Sequence, residues 1–443
     1  MSIFKLSGVH LGHHKNTAEA VPVRMGVPSK IVLPMSMHIG APAKPIVAVG
    51  DEVKVGQLVG EAGAGLSSPV YSGVSGKVKK IDEMIAVTGA HIQTVIIEPD
   101  GLQTVADTVV PPTVESREDF IEAVKASGIV GLGGAGFPTY VKLSADTSKI
   151  DTVVLNGAEC EPYITSDTRT MIDDADLVAE GLELIMKYLG IGKAVIGIEK
   201  NKPKCIAEMK RAIAGIEGAE VRALPSLYPQ GGEKVLVYHT LGRVIGEGKL
   251  PMDAGVIVIN CTTVASIARY IKTGMPLVEK CVTVDGSAIA EPKNVIAPIG
   301  TPVLELVEFC GGFSAVPRKI LSGGPMMGVS LPDLSAPVLK QTNAILAFDR
   351  KDATPAEETA CIRCGRCTSH CPFGLSPVSI SAAYAAGDGA ALEKTKVNLC
   401  MECGCCSYVC PAKKNIVQKN KLAKVMLKNY QTQQSLKGGE KNG

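Results

Sequence analysis

The chain has 443 residues, 46% of them hydrophobic and 4% aromatic, with no tryptophan, 14 cysteines and a formal net charge of +2. That length exceeds what one hydrophobic core organises and predicts three or four domains. The near-neutral charge argues against a general nucleic-acid binder, and no apolar run approaches the roughly 18 residues of a membrane span.

The N-terminus, MSIFKLSGVHLGHHK, carries no apolar signal segment, so the cysteines are expected in a reducing compartment, without disulfides. Residues 31–100 read as short strands between glycine turns. Gly50–Gln57, Ser68-Pro69-Val70 and Ser75-Gly76-Lys77-Val78 resemble the half-motifs of a biotinyl/lipoyl-type barrel sandwich. Those domains carry their prosthetic group on a hairpin lysine. No lysine lies between Lys54 and Lys77, so a non-carrier barrel-sandwich module is expected over residues 1–110.

From residue 116 the pattern changes. Phe120-Ile121, Val124 and Ile129 fall at helical spacing, and Leu177, Leu182, Leu184-Ile185 and Leu189 mark a second helix. Between and after them come Val153–Leu155, Ala194–Ile198 and Gly255–Ile259, short apolar runs of the kind found in strands buried on both faces. The alternation predicts a Rossmann-like parallel sheet over 111–260, with ligands at the carboxyl ends of its strands. Residues 261–348 turn to β-type signals. Val282–Gly286 reads as a strand into a turn and Thr301–Val307 as a helix entry, which predicts a β-grasp domain. A linker rich in charge and proline, Asp349–Glu358, leads into the last domain, 349–430, and a basic tail, 431–443.

That last domain carries the strongest chemical signal. Cys361, Cys364, Cys367 and Cys371-Pro372 are repeated 39 residues later as Cys400, Cys403, Cys406 and Cys410-Pro411. The run C-x₂-C-x₂-C-x₃-C-P is the ligand spacing of two-cluster ferredoxins, whose fourth cysteine serves the other cluster. Cys361, Cys364, Cys367 and Cys410 are therefore expected to hold one [4Fe–4S] cluster. Cys400, Cys403, Cys406 and Cys371 are expected to hold the other, in an α-helical ferredoxin-like domain. Structural zinc is the plainer alternative, but it favours paired C-x₂₋₄-C with a long loop and often histidine. Cys405 is out of register and reads as a bystander.

Gly131-Leu132-Gly133-Gly134-Ala135-Gly136-Phe137 is a glycine-rich loop opening a helix, and its amides are placed to cradle a phosphate. A tight turn requiring positive φ is the plainer reading of such a loop alone. Lys142 follows one turn on, and three polar segments follow at strand ends: Asn156–Pro162, Tyr228–Lys234 and Ile259–Thr263. These four segments, in this order, resemble the NADH-binding flavoprotein of respiratory complex I. With the N-terminal module, Gly12-His13-His14-Lys15, Met37–Ala43 and the doubled cysteine run, the chain resembles the RnfC family, the C component of the Rnf complexes, over residues 1–430.

The resemblance implies FMN contacts from Gly131, Gly133, Gly134, Gly136, Lys142, Asn156, Glu159, Tyr228, Gly231, Gly232, Glu233, Asn260, Thr262 and Thr263. It implies NAD(H) contacts from Phe137 and Glu161. Leu132, Ala158 and Cys160 stand where the complex I flavoprotein has an arginine, an acidic residue and a small residue. The implied function is NAD-reactive: hydride passes between NAD(H) and FMN, and single electrons pass through two clusters. In the family this couples ferredoxin oxidation and NAD reduction to ion translocation. The implied partners are integral membrane and iron–sulfur subunits, with this chain peripheral on the cytoplasmic face. Three other readings are a soluble flavin/iron–sulfur cobalamin reductase, a scaffold that wires electrons without flavin, and a dinucleotide-sensing regulator.

Overall fold

The computed structural model describes residues 6–86 and 89–439. Its centre is a four-stranded, wholly parallel sheet in the order Ala219–Leu224, Ala194–Glu199, Thr152–Gly157, Val256–Asn260. The three strands read from sequence are there, and Ala219–Leu224, whose alternating exposure marks an edge, completes the sheet. Side chains alternate between two covered faces. Val154, Val256 and Val258 pack under the helix Glu233–Leu241. Val153, Leu155, Ile257 and Ile259 face the helices Ala175–Leu189 and Cys261–Thr273. Gly181 allows those two helices to touch, since a Cβ there would lie 2.3 Å from the Val264 carbonyl oxygen. The helix Cys261–Thr273 thus belongs with the parallel sheet, beyond the boundary expected at 260/261. The first helix is Arg117–Ala126, closed by a Ser116–Asp119 capping box. Ile129, expected on its apolar face, lies past its end in the run leading to the glycine loop.

The N-terminal module is a pair of sheets. One, of four strands, has the order Ile31–Pro34, His91–Pro99, Gly76–Ile85, Glu52–Val53; the other, of three, has the order Lys44–Pro45, Leu58–Glu61, Val70–Tyr71. Its first strand is Ile31–Pro34. Residues 8–24 form a strap that leaves the barrel and crosses the other domains. Val9 bridges to Tyr228, and Val23–Arg24 joins the third domain's sheet beside Lys293–Pro298. That third domain is a six-stranded mixed sheet with the helix Val303–Phe309, whose core includes Val282, Val284, Val295 and Leu306.

The cysteine-rich domain repeats its sequence duplication in its backbone. Arg363 and Gly365 take left-handed φ of 54° and 75°; Glu402 and Gly404, 39 positions on (402 − 363), take 61° and 80°. Each glycine opens a one-turn helix, Arg366–Ser369 or Cys405–Tyr408. Leu375, Ile380, Leu392, Val397, Ala423 and Leu427 form the domain's small core. The basic tail expected at 431–443 is, as far as residue 439, the end of one long helix, Ile416–Gly439. No helix of the described residues is long and apolar enough to cross a membrane.

Candidate functional site

The sheet's strand order reverses between Thr152–Gly157 and Val256–Asn260, the crevice where open α/β sheets bind ligands. At the carboxyl end of that pair, Asn156 and Asn260 are register partners. The Asn156 Nδ2 donates to the Gly231 carbonyl at 2.9 Å, drawing the 228–234 loop over the crevice. Asn260 caps its helix through Thr263 N and donates from Nδ2 to Asp167 at 2.7 Å. The glycine loop closes the third side. Gly131 N donates to Phe137 O at 2.8 Å, and Leu132 N donates to the Thr263 hydroxyl at 3.0 Å. The next three residues, Gly133, Gly134 and Ala135, are exposed, and among the described residues none accepts from their amides. Gly134 holds φ at +149°, a conformation that excludes most side chains. The helix after the loop is only Thr139–Leu143, so the loop's free amides, more than a helix dipole, supply its positive character.

These elements surround a cavity of about 2770 Å³. Drug-sized ligands occupy roughly 300–1,000 Å³, so there is room for more than one. Gly131, Gly133, Gly134, Gly136, Phe137, Lys142, Asn156, Glu159, Glu161, Tyr228, Gly231, Gly232, Glu233, Asn260 and Thr263 all line it. Thr262 does not line it; its hydroxyl donates to Asp167 at 2.6 Å, behind the wall. Lys142 pairs with Glu233 at 2.6 Å and also donates to the Val258 carbonyl, so one cation spans two walls.

The Glu159 carboxylate points down, accepting from Asp167 N at 2.6 Å and from Thr168. Burial raises its pKa, with Lys15 opposing. The Glu161 carboxylate reaches the third domain and accepts from Met326 N at 3.0 Å and Met327 N at 2.8 Å. Burial raises its pKa too, and those two amides oppose the shift. The Cys160 thiol, pushed up to about 12 by burial, accepts from Gly231 N at 3.2 Å.

The cysteine domain sits against this cavity. Met401 lines it, and a Cβ on Gly232 would lie 2.4 Å from the Met401 methyl. The Tyr228 hydroxyl donates to the Cys403 carbonyl at 2.8 Å. Burial raises the Cys371 pKa, the Phe373 and Leu375 amides oppose the shift, and Cys403 and Cys400 add to it; burial raises Cys406, with Cys400, Cys403 and Cys371 adding. Cys410 packs in one cluster with Cys367 and Cys406. Cys361 and Cys364 are exposed, whereas Cys367, Cys403 and Cys406 are buried. Cys405 is also buried, with its thiol turned to the Tyr228 carbonyl at 3.9 Å.

Comparison with known proteins agrees with this layout. Residues 4–102 match the family described as RnfC barrel sandwich hybrid domain, and 124–269 the Nuo51 FMN-binding domain. Residues 281–330 match the SLBB domain, and 357–415 the 4Fe-4S dicluster domain. The C component of the proton-translocating ferredoxin:NAD(+) oxidoreductase complex of Clostridium ljungdahlii is 41% identical over 84% of this chain and 83% of its own. The C component of the Na(+)-translocating complex of Acetobacterium woodii is 43% identical over 84% of this chain and 86% of its own.

The chain belongs to the RnfC family.

It accordingly has an FMN-binding domain and an iron–sulfur domain. A crystal structure of an NAD+-reducing [NiFe]-hydrogenase shares the fold, with a TM-score of 0.52 at 19% identity, over 70% of this chain and 62% of that one. Residues not singled out from sequence also build the site. Asp167 lines the cavity, and Lys15, Lys202 and Lys280 lie beneath it. Lys15 alone had a signal, the Gly12–Lys15 segment. The others are isolated charges whose burial only the fold creates.

Proposed function

We propose that the cavity holds FMN and, beside it, NAD(H), and that electrons pass between them and two [4Fe–4S] clusters. The observation that carries this reading is the shared wall: Tyr228 lines the cavity and its hydroxyl holds the loop of Cys403. The free amides of Gly133, Gly134 and Ala135 fit a phosphate, and the polar side chains of Asn156, Glu233 and Asn260 fit a flavin edge. Gly131, Gly136, Gly231 and Gly232 would let the backbone come close, with Lys142 and Thr263 behind them. Bound FMN would supply the exchange between hydride and single electrons. The chain's part is to position both ligands, exclude water and hold Glu159 and Glu161 against cavity walls.

Cys400, Cys403, Cys406 and Cys371 would hold the cluster nearer the cavity. Cys361, Cys364, Cys367 and Cys410 would hold the outer one. The exposure of Cys361 and Cys364 supports electron exchange with a partner protein at that edge. The mixed six-stranded sheet supports a β-grasp reading of the third domain, and the backbone repeat supports a ferredoxin-like reading of the last. The relatives' names support a place among the subunits of an ion-translocating ferredoxin:NAD(+) oxidoreductase; on this reading the chain sits peripherally on the cytoplasmic face of a membrane. Anaerobic purification tests the proposal, with iron, sulfide, flavin and NADH oxidation measured on one sample. Two clusters and one FMN per chain, with NADH bleaching the flavin, are expected. Flavin that NADH does not reduce would refute it.

A further inference from the structure

The wall loop 158–164 has an unusual backbone. Glu159 and Tyr163 both take left-handed φ, 43° and 69°, which bulky L-residues adopt only under constraint. The turns aim the carbonyls of Glu159, Glu161 and Ile164 inward at one point, and the Lys15 ammonium occupies it. Nζ donates to Glu159 O at 2.9 Å, to Glu161 O at 2.8 Å and to Ile164 O. The Glu159 carboxylate lies 3.8 Å from the same ammonium, with the two side chains 15% and 3% exposed.

Lys15 sits on the N-terminal strap, 144 or more residues from its partners, and the strap is fastened to the same loop on either side of it. Tyr163 N donates to His13 O at 3.0 Å, and the His14 and Tyr163 rings stack at 4.9 Å. Thr17 bonds Thr165, and Asn294 Nδ2 donates to Thr17 O at 2.9 Å. Beneath the loop, Lys202 donates to the Ala158 carbonyl and pairs with Glu199 at 2.9 Å. Lys280 donates to the Leu132 carbonyl at 3.1 Å and feels Asp167. Lys15, Lys202 and Lys280 thus face the carboxylates of Glu159, Glu199 and Asp167, and Lys15 also acts on Glu161. Removing one member leaves a buried charge uncompensated.

We propose that Lys15 is a positioning residue for the cavity. Its ammonium, seated on three carbonyls, holds the 158–164 loop in the left-handed turns that aim Glu159 down and set Cys160 and Glu161 into the wall. Lys15 acts through that loop. The effect on ligand binding rests on the reading of the cavity as an FMN site; the hold on the loop does not.

The test is Lys15→Ala in the full chain with its clusters, with and without n-propylammonium, which can refill the carbonyl cage. Two quantities are read: amide exchange at Asp167 and Thr168, whose N–H groups bond Glu159, in flavin-free protein, and the Kd for FMN by fluorescence quenching. Lys15→Ala is expected to speed both exchanges and raise the Kd about 10- to 100-fold, the scale of losing charge-assisted bonds. Propylammonium should reverse both effects, and tetramethylammonium, which has no N–H, should reverse neither. Unchanged exchange and affinity in folded protein would overturn the proposal. So would rescue by both amines alike or by neither. If Lys15→Ala does not fold, Lys15→Arg keeps the charge but cannot centre one nitrogen among three carbonyls. It should weaken FMN binding about tenfold, and unaltered binding would overturn the proposal. Failure of the wild-type chain to bind FMN would remove the flavin reading while leaving the exchange result to stand or fall by itself.

Discussion

Glu161→Gln separates ligand contact from wall construction. The native carboxylate accepts from two backbone amides, Met326 N at 3.0 Å and Met327 N at 2.8 Å, and lies 3.5 Å from the Tyr228 hydroxyl. Glutamine keeps the shape but offers one acceptor oxygen; its amino group must face the second N–H as a donor. One charge-assisted bond is lost and one half-buried N–H loses its partner, costing about 1.5–3 kcal/mol. The segment so released, Gly323–Gly328, contributes Gly323, Gly324, Met327 and Gly328 to the cavity, and the Met326 carbonyl lies near Gly404. The variant should raise the KM for NADH in a dye-reduction assay. It should lower kcat/KM by about 10- to 150-fold while FMN and iron stay at wild-type levels. Exchange at Met326 and Met327 should accelerate in parallel. The pH profile supplies a sign. Burial raises the carboxyl pKa, so the wild type begins to lose its grip at a higher pH than an ordinary glutamate would, as pH falls. The glutamine variant should lack that acid-side dependence. Unchanged exchange at both methionine amides would refute the reasoning, and joint loss of flavin and stability would reduce Glu161 to a shaper of its turn.

Other expected outcomes follow from the same contacts. Cys371→Ala should remove the cluster of the second motif, and Cys410→Ala that of the first, by electron paramagnetic resonance and iron content; Cys405→Ala should keep both. Gly134→Val should release FMN with both clusters retained. The added side chain meets no protein atom within 4 Å, but it imposes a strained φ and enters the space beside the free amides. Gly232→Val, pressing on Met401 and filling the close backbone approach, should weaken FMN binding and slow electron passage to the clusters in stopped-flow spectra of FMN-saturated protein, while both clusters remain bound. Lys340 is buried, donating to Ser68 Oγ, Pro69 O and Gly128 O, and burial lowers its pKa from 10.5 to about 7. Between those values the unfolded chain holds the proton and the folded one does not. Stability should therefore fall as pH drops from 10.5 towards about 7 and then level off. Lys340→Met should flatten that slope in denaturant titrations.

Much of this was legible in the chain itself. The iron–sulfur domain announces itself because a cubane needs three cysteines on one short loop, and the spacing is local. Buried parallel strands announce themselves because both faces must be apolar. The glycine loop did so because free amides need a backbone without side chains in the way. Sequence determined the kinds of domain present and named fifteen residues that line the cavity. It did not determine what crosses between domains. That residues 8–24 form a strap, that Cys261–Thr273 packs with the parallel sheet, and that Thr262 turns behind the wall are outcomes of tertiary packing. The same holds for the carboxylates. Glu159 and Glu161 look alike in sequence, two residues apart. Only the fold sends one down to Asp167 and Lys15 and the other across to Met326 and Met327. A charge's role is set by which partners remain once water is excluded, and Lys15 and Met326 come from more than a hundred residues away.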